Sequence, residues 1–148
     1  MNARTLTKDQ YASAVSLWTA TGLTRPWNDP MDDLLRAMNG ATSTVLGCSL
    51  DGDLVATAMV GHDGHRGWVY YLAVAPDRQE SGLGRMMMEA CEQWLIERGA
   101  VKVQLMIRTN NSPVIGFYDQ LGYEPSDVQV RAKWLTADHP ANTDSAAH

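Results

Sequence analysis

The sequence predicts a mixed α/β fold: a mostly antiparallel meander followed by a strand–helix–strand–helix unit, with helices on the faces of the sheet. Three observations predict it. Between Ser43 and Ala75 three apolar runs are joined by Asp51-Gly52-Asp53 and Asp63-Gly64-His65-Arg66, and Asp-Gly between apolar runs signals a tight hairpin. Gly82–Arg98 then repeats apolar residues at helical spacing. Beyond Gly99, short runs alternate between strand and helix patterns.

In chain order, Thr7-x-x-Gln10 is a capping-box pattern that opens a helix running to about Ala20. A second helix starts at Asp29-Pro30, with Asp as cap and Pro in the first position, and stops at Gly40. Strands follow over Ser43–Leu50, Leu54–His62 and Gly67–Ala75. In the helix Gly82–Arg98, Leu83, Met86, Met87, Ala90, Trp94 and Leu95 share one side, and Gly99 ends it. Val101–Ile107 reads as a strand, Pro113–Leu121 as a short helix capped by Ser112 or Asn111, and Val128–Trp134 as a last strand. A length of 148 residues suits one domain, placed at 1–135, with a small polar tail over 136–148 expected to be disordered.

Composition narrows the function. Lys and Arg number 12 against 17 Asp and Glu, a net charge of -5, so neither nucleic acid nor an anionic membrane is an expected partner. The balance instead favours cationic small molecules. Cys48 and Cys91 form no Cys-x-x-Cys pair, and Met1-Asn2-Ala3-Arg4-Thr5 has no apolar signal core, so a reduced, cytoplasmic protein is expected. His62-x-x-His65 lacks further ligands at metal spacing, and no metal is expected.

The chemistry concentrates after the third strand. Leu72-Ala73-Val74 runs through a turn, Gln79-Glu80-Ser81-Gly82-Leu83-Gly84-Arg85, into the long helix. Unsatisfied N–H groups at a helix start, with the positive end of its dipole, make an anion site suited to phosphates. Gly82 and Gly84 let a ligand approach the main chain, and Arg78 and Arg85 add charge. No Gly-Lys-Ser/Thr follows, so this is not a nucleotide-hydrolysing P-loop.

Gln79-x-x-Gly82-x-Gly84 resembles the Gln/Arg-x-x-Gly-x-Gly/Ala loop of the GNAT superfamily of acyl-CoA-dependent N-acetyltransferases. Asn111 and Tyr118, seven residues apart and followed by Leu121-Gly122-Tyr123, resemble that family's second cofactor motif. The order of elements is similar from about residue 5 to 134. Arg25-Pro26-Trp27-Asn28-Asp29-Pro30 and the stretch Gly61–Gly67 further resemble a small bacterial YpeA-like subgroup near the RimI-like acetyltransferases.

The resemblance implies acetyl-CoA as the acyl donor. Its pantetheine arm would pair with the main chain of Leu72, Ala73 and Val74. Its pyrophosphate would rest on the N–H groups from Gln79 to Arg85, with Asn111 bonding the arm and Tyr118 near the sulfur. The departing thiolate has a pKa of about 8.5, and a tyrosine of pKa about 10 can protonate it, so Tyr118 is the implied general acid. The attacking amine must be neutral. At pH 7 that costs a lysine-like amine about 4–5 kcal/mol and an α-amine about 1 kcal/mol. Many relatives place a Glu on the central strand as base, yet Trp68-Val69-Tyr70-Tyr71-Leu72-Ala73-Val74 carries no carboxylate. Asp29, Asp63, His65 and a water relay past Tyr70 are the candidates.

The loop between the first two helices overhangs the acceptor side in the family. There Arg25 would hold an acceptor carboxylate, Trp27 would stack on the acceptor, Asp29 would receive its ammonium, and Asn28 would line the site. The same residues also read as a surface charge, a core anchor and a helix start. The expected acceptor is a primary amine of a small molecule, amino acid or peptide, attacked directly in a ternary complex. Alternatives are a protein N-terminus, as in RimI-like relatives, and an acyl-CoA-binding sensor without turnover. The resemblance also allows a homodimer.

Overall fold

The computed structural model describes residues 2–136. These fall into two compact units divided between Leu105 and Met106. The expected tail, apart from its first position, lies outside the described residues.

The first unit contains β1 (Arg4–Thr5), α1 (Tyr11–Ala20), α2 (Pro30–Asn39), β2 (Ser43–Leu50), β3 (Asp53–His62), β4 (Gly67–Val74), α3 (Leu83–Ile96) and β5 (Val103–Gln104). The strands form one sheet in the order β1-β2-β3-β4-β5, antiparallel except for the β4–β5 pair. The predicted mixed α/β fold is therefore what forms. The two-residue β1, which pairs with Leu46 and Gly47, is too short to leave a periodic signal in the sequence.

Helices α1 and α2 cover one face of the sheet. Trp18 and Leu34 are wholly buried there with Val45 and Ala73, and the Trp18 indole N–H donates to the Thr57 hydroxyl at 2.8 Å. Helix α3 covers the other face with Leu83, Met87, Met88, Cys91 and Leu95. This corrects the predicted stripe. The i, i+4 row through Leu83, Met87, Cys91 and Leu95 is its centre, and Met86, Ala90 and Trp94 are half-buried on its flank. The helix approaches β4 so closely that a Cβ on Gly67 would lie 2.6 Å from a Leu95 methyl. Overpacking of a core contact costs about 1–3 kcal/mol. Gly67→Ala is therefore expected to lower the melting temperature by several degrees, measured by calorimetry, with the fold retained.

Two strand expectations are corrected. Within the run Val101–Ile107 only Val103–Gln104 forms a strand. Residues 128–134 form no strand; Val128 and Val130 are 68% and 65% exposed. A period-two apolar pattern signals a face to bury, and it yields a strand only where a neighbouring edge accepts the ladder.

Strand β4 also carries a bulge. Thr57 pairs with Ala73 and Met59 with Tyr70, so Ala58 stands opposite two residues, Tyr71 and Leu72. Tyr71 takes up the extra length at φ +53°, a left-handed conformation uncommon outside glycine. The second unit contains one helix, α4 (Ser112–Gln120), entered through Asn111 as N-cap with Pro113 in its first turn.

Candidate functional site

Pairing between β4 and β5 ends after Trp68↔Gln104, so among the described residues no strand covers that edge of β4 beyond this point. The Ala75 N–H donates to Val55 O at 2.8 Å, which directs the main-chain groups of Ala75 and Ala73 toward β3. By alternation those of Leu72 and Val74 face the uncovered edge. The Gln79 amide donates to Val74 O at 3.3 Å, as this orientation requires. Leu72 and Val74 thus offer a short length of ladder to an extended ligand, the geometry used in strand addition. Ala73 offers none, because its side chain is in the core and its main chain faces β3.

The chain then passes through a single 3-10 turn, Pro76–Arg78, into the start of α3. The Ser81 hydroxyl donates to the Arg78 carbonyl, Glu80 sits at φ +64° and Gly82 at φ +86°. Gly82 is the N-cap and has no side chain to cover the helix start, whose first helical bond is Met86 N–H to Gly82 O at 3.1 Å. The N–H groups of Leu83, Gly84 and Arg85 precede that bond and project from the helix end. A Cβ at Gly82 would meet no protein atom within 4 Å, so the space in front is open. The Leu83 side chain is buried, and Arg85 is exposed. An open ladder edge that leads directly to a bare helix start suits a ligand with an extended amide arm and a phosphate group. The residues present fit an acyl-CoA donor.

On the α1/α2 side, the loop before α2 is held by its own polar groups. Arg25 Nη1 donates to the carbonyls of Gly22 and Thr24, both at 2.9 Å, and Asn28 N–H donates to Arg25 O at 3.1 Å. Asp29 caps α2, with one carboxylate oxygen accepting from Met31 N at 3.0 Å and Asp32 N at 3.2 Å. The helix-start reading of Asp29 is therefore realised. The Trp27 indole N–H is buried with no hydrogen-bond partner among the described residues.

Asp63 closes the β3–β4 turn. One oxygen accepts from His65 N at 2.9 Å and Arg66 N at 2.7 Å, and the other from the Trp68 indole at 3.2 Å. Bonds from these backbone N–H groups and from Trp68 lower its pKa to about 2. A group with so low a pKa is a poor proton acceptor at neutral pH. The folded pKa lies below the unfolded value, so the turn gains stability above the unfolded pKa and loses it as pH falls toward 2. An NMR titration of the Asp63 carboxyl is expected to show it ionised down to about pH 2.

Tyr70 is half-buried, its ring stacked at 6.4 Å on Trp68, and burial followed by the Asp63 charge pushes its pKa up. Its neighbour Tyr71 stacks on Trp18 at 4.1 Å and donates its hydroxyl to Asp33 of α2 at 2.7 Å. Sequence reading overlooked both Tyr71 and Asp33. The bulge that turns Tyr71 leaves no periodic signal, and Asp33 reads as an ordinary first-turn acid of α2.

In the second unit, Asn111 begins α4 with its carbonyl accepting from Ile115 N at 3.1 Å, and its side chain makes no capping bond. That amide is thus not spent on the helix. Tyr118, two helical turns further on, is buried, with edge-on contacts to Phe117 at 4.9 Å and Tyr123 at 5.5 Å. Both cysteines are buried, and burial followed by the Glu92 charge raises the Cys91 thiol to about 12, far from a nucleophile's range. Among the described residues no helix is long and apolar enough to cross a membrane.

The first unit thus carries a β-bulged central strand and a bare helix start, and residues 12–123 match the Acetyltransferase (GNAT) family. The chain belongs to that family. Among solved structures, it is similar to the apo aminoglycoside antibiotic 6'-N-acetyltransferase AAC(6')-IG from Acinetobacter haemolyticus. That match has TM-score 0.78 and 13% identity, over 93% of this chain and 100% of the other. AAC(6')-Iy in complex with the bisubstrate analogue CoA-S-monomethyl-acetylneamine matches with TM-score 0.78 and 13% identity, over 91% and 98%. The ribosomal-protein-S18-alanine N-acetyltransferase from Escherichia coli matches with TM-score 0.71 and 22% identity, over 84% and 78%. At these identities the likeness shows the fold.

Proposed function

We propose that this protein is an acetyl-CoA-dependent N-acetyltransferase, a single catalytic domain over 1–135, whose acceptor is a primary amine of a small molecule, amino acid or peptide. The observation that carries the reading is the open β4 edge at Leu72 and Val74, continuous with the uncapped start of α3. The main chain of Leu72 and Val74 receives the pantetheine amides. The N–H groups around Gly82–Arg85, aided by the Arg85 charge, receive the pyrophosphate, with Gln79, Glu80 and Ser81 shaping the turn. Asn111 bonds the pantetheine arm, and Tyr118 protonates the departing thiolate.

The acceptor side is framed by Arg25, Trp27, Asn28 and Asp29. The low pKa of Asp63 and the capping bonds of Asp29 leave both carboxylates occupied with holding turns, which disfavours them as bases. The net charge of -5 and the fold shared with enzymes named for aminoglycosides support a cationic acceptor. Thiol release from acetyl-CoA, measured against amino acids, short peptides, polyamines and aminoglycosides, tests the reading. Saturable release with a small amine is the expected result. Release with N-terminal peptides alone would move the assignment to protein N-termini, and binding without release to any amine would make the protein a sensor.

A further inference from the structure

We propose that Tyr71 and Asp33 form the proton-accepting pair for the attacking amine, with the Tyr71 oxygen touching the amine and Asp33 positioning it and taking up the proton. This rests on the acetyl-transfer reading above. Strand β4 carries no carboxylate of its own, and the fold supplies one from α2: Asp33 Oδ2 accepts the Tyr71 hydroxyl at 2.7 Å.

The placement is over-determined. Tyr71 is the bulge residue, immediately before the Leu72–Val74 edge, and its φ of +53° turns the ring onto Trp18. Trp18 is wholly buried and tied through its indole to Thr57, whose hydroxyl reaches the Tyr71 carbonyl at 3.4 Å. A left-handed tyrosine persists only where its surroundings enforce it, and such strain clusters at functional positions. With its proton committed to Asp33, the phenol presents lone pairs to any incoming group, so it selects an N–H donor.

The charged groups around the pair are few. Arg36 meets the other Asp33 oxygen at 3.4 Å from an exposed position, and Arg25 lies within electrostatic reach of Tyr71. Burial, and then the bond to Asp33, push the phenol's pKa up, so Tyr71 passes a proton on and does not itself rest as phenolate. The Asp33 side chain is 27% exposed and can return the proton to water.

The step balances. As the neutral amine forms its C–N bond, its nitrogen becomes acidic. One N–H bond breaks to Tyr71 Oη while the Tyr71 proton moves to Asp33 Oδ2. Tyr71 ends neutral and Asp33 ends as a carboxylic acid. The C–S bond breaks and the thiolate takes its proton from Tyr118. Water then carries a proton from Asp33 and restores one to Tyr118.

Tyr71→Phe keeps the ring on Trp18, and Asp33→Asn keeps the contact but removes the base. With the amine that gives the fastest thiol release from the panel, each variant is expected to lose about 10²-fold in kcat. Acetyl-CoA affinity and melting temperature should stay near wild type. Part of kcat is expected to return in Asp33→Glu, which restores a carboxylate to the pair. Wild-type kcat in both variants overturns the relay alone. Loss of acetyl-CoA binding in step with turnover would also overturn it, because the pair would then be structural. A wild type that binds acetyl-CoA but acetylates no amine overturns the transfer reading and the relay together.

Discussion

Tyr118→Phe is expected to lower kcat by about 10²–10⁴-fold, the range for loss of a positioned general acid, while acetyl-CoA binds as in wild type. The phenyl ring preserves the edge contacts to Phe117 and Tyr123, so the fold is expected to be retained. The chemistry makes the loss dependent on the leaving group. A CoA thiolate of pKa about 8.5 departs slowly without a proton, whereas a more acidic thiol leaves with less help. An acetyl thioester of an aromatic thiol is therefore expected to restore much of the variant's rate. Stopped-flow detection of thiol checks both statements, and equal rates for wild type and variant would remove Tyr118 from the acid role.

The second large effect is expected at Gly82. Its φ of +86° places it where a Cβ is strained by about 1–2 kcal/mol, although no neighbouring atom obstructs one. Gly82→Ala is expected to pull the turn out of its left-handed conformation and with it the N–H groups that follow. Each lost charge-assisted hydrogen bond to a pyrophosphate is worth about 1.5–3 kcal/mol. Acetyl-CoA affinity is thus expected to fall by about 10²-fold, with a melting temperature only slightly reduced. Gly82→Asn, whose side chain tolerates the left-handed region, is expected to recover part of it. Calorimetric titration of the two variants measures the difference.

Gly82 was legible in the sequence because glycine spacing and a helix start leave local signatures, whereas Tyr118 was singled out only by the family resemblance. The hairpin turns at Asp51-Gly52 and Asp63-Gly64, the cap at Asp29 and the stop at Gly99 were legible for the same reason. What the sequence concealed depends on partners distant along the chain. Residues 128–134 have the alternation of a strand, and no described edge pairs with them. The bulge at Tyr71 is set by pairing with β3, from which the Thr57 hydroxyl, 14 positions earlier, donates to the Tyr71 carbonyl. The Tyr71–Asp33 bond spans 38 positions, and neither side chain announces the other. The missing carboxylate of β4 was correctly read from the sequence. That α2 brings an acid to this strand is a matter of helix packing, beyond any local pattern.

The central claim is that the donor lies along the uncovered edge of β4 and ends on the start of α3. A titration of acetyl-CoA into 15N-labelled protein, followed amide by amide, tests it most directly. The account predicts saturation at micromolar concentration, with the largest shifts at Leu72, Val74 and Gly82–Arg85. Shifts that fail to saturate, or that leave those amides unmoved, would contradict it.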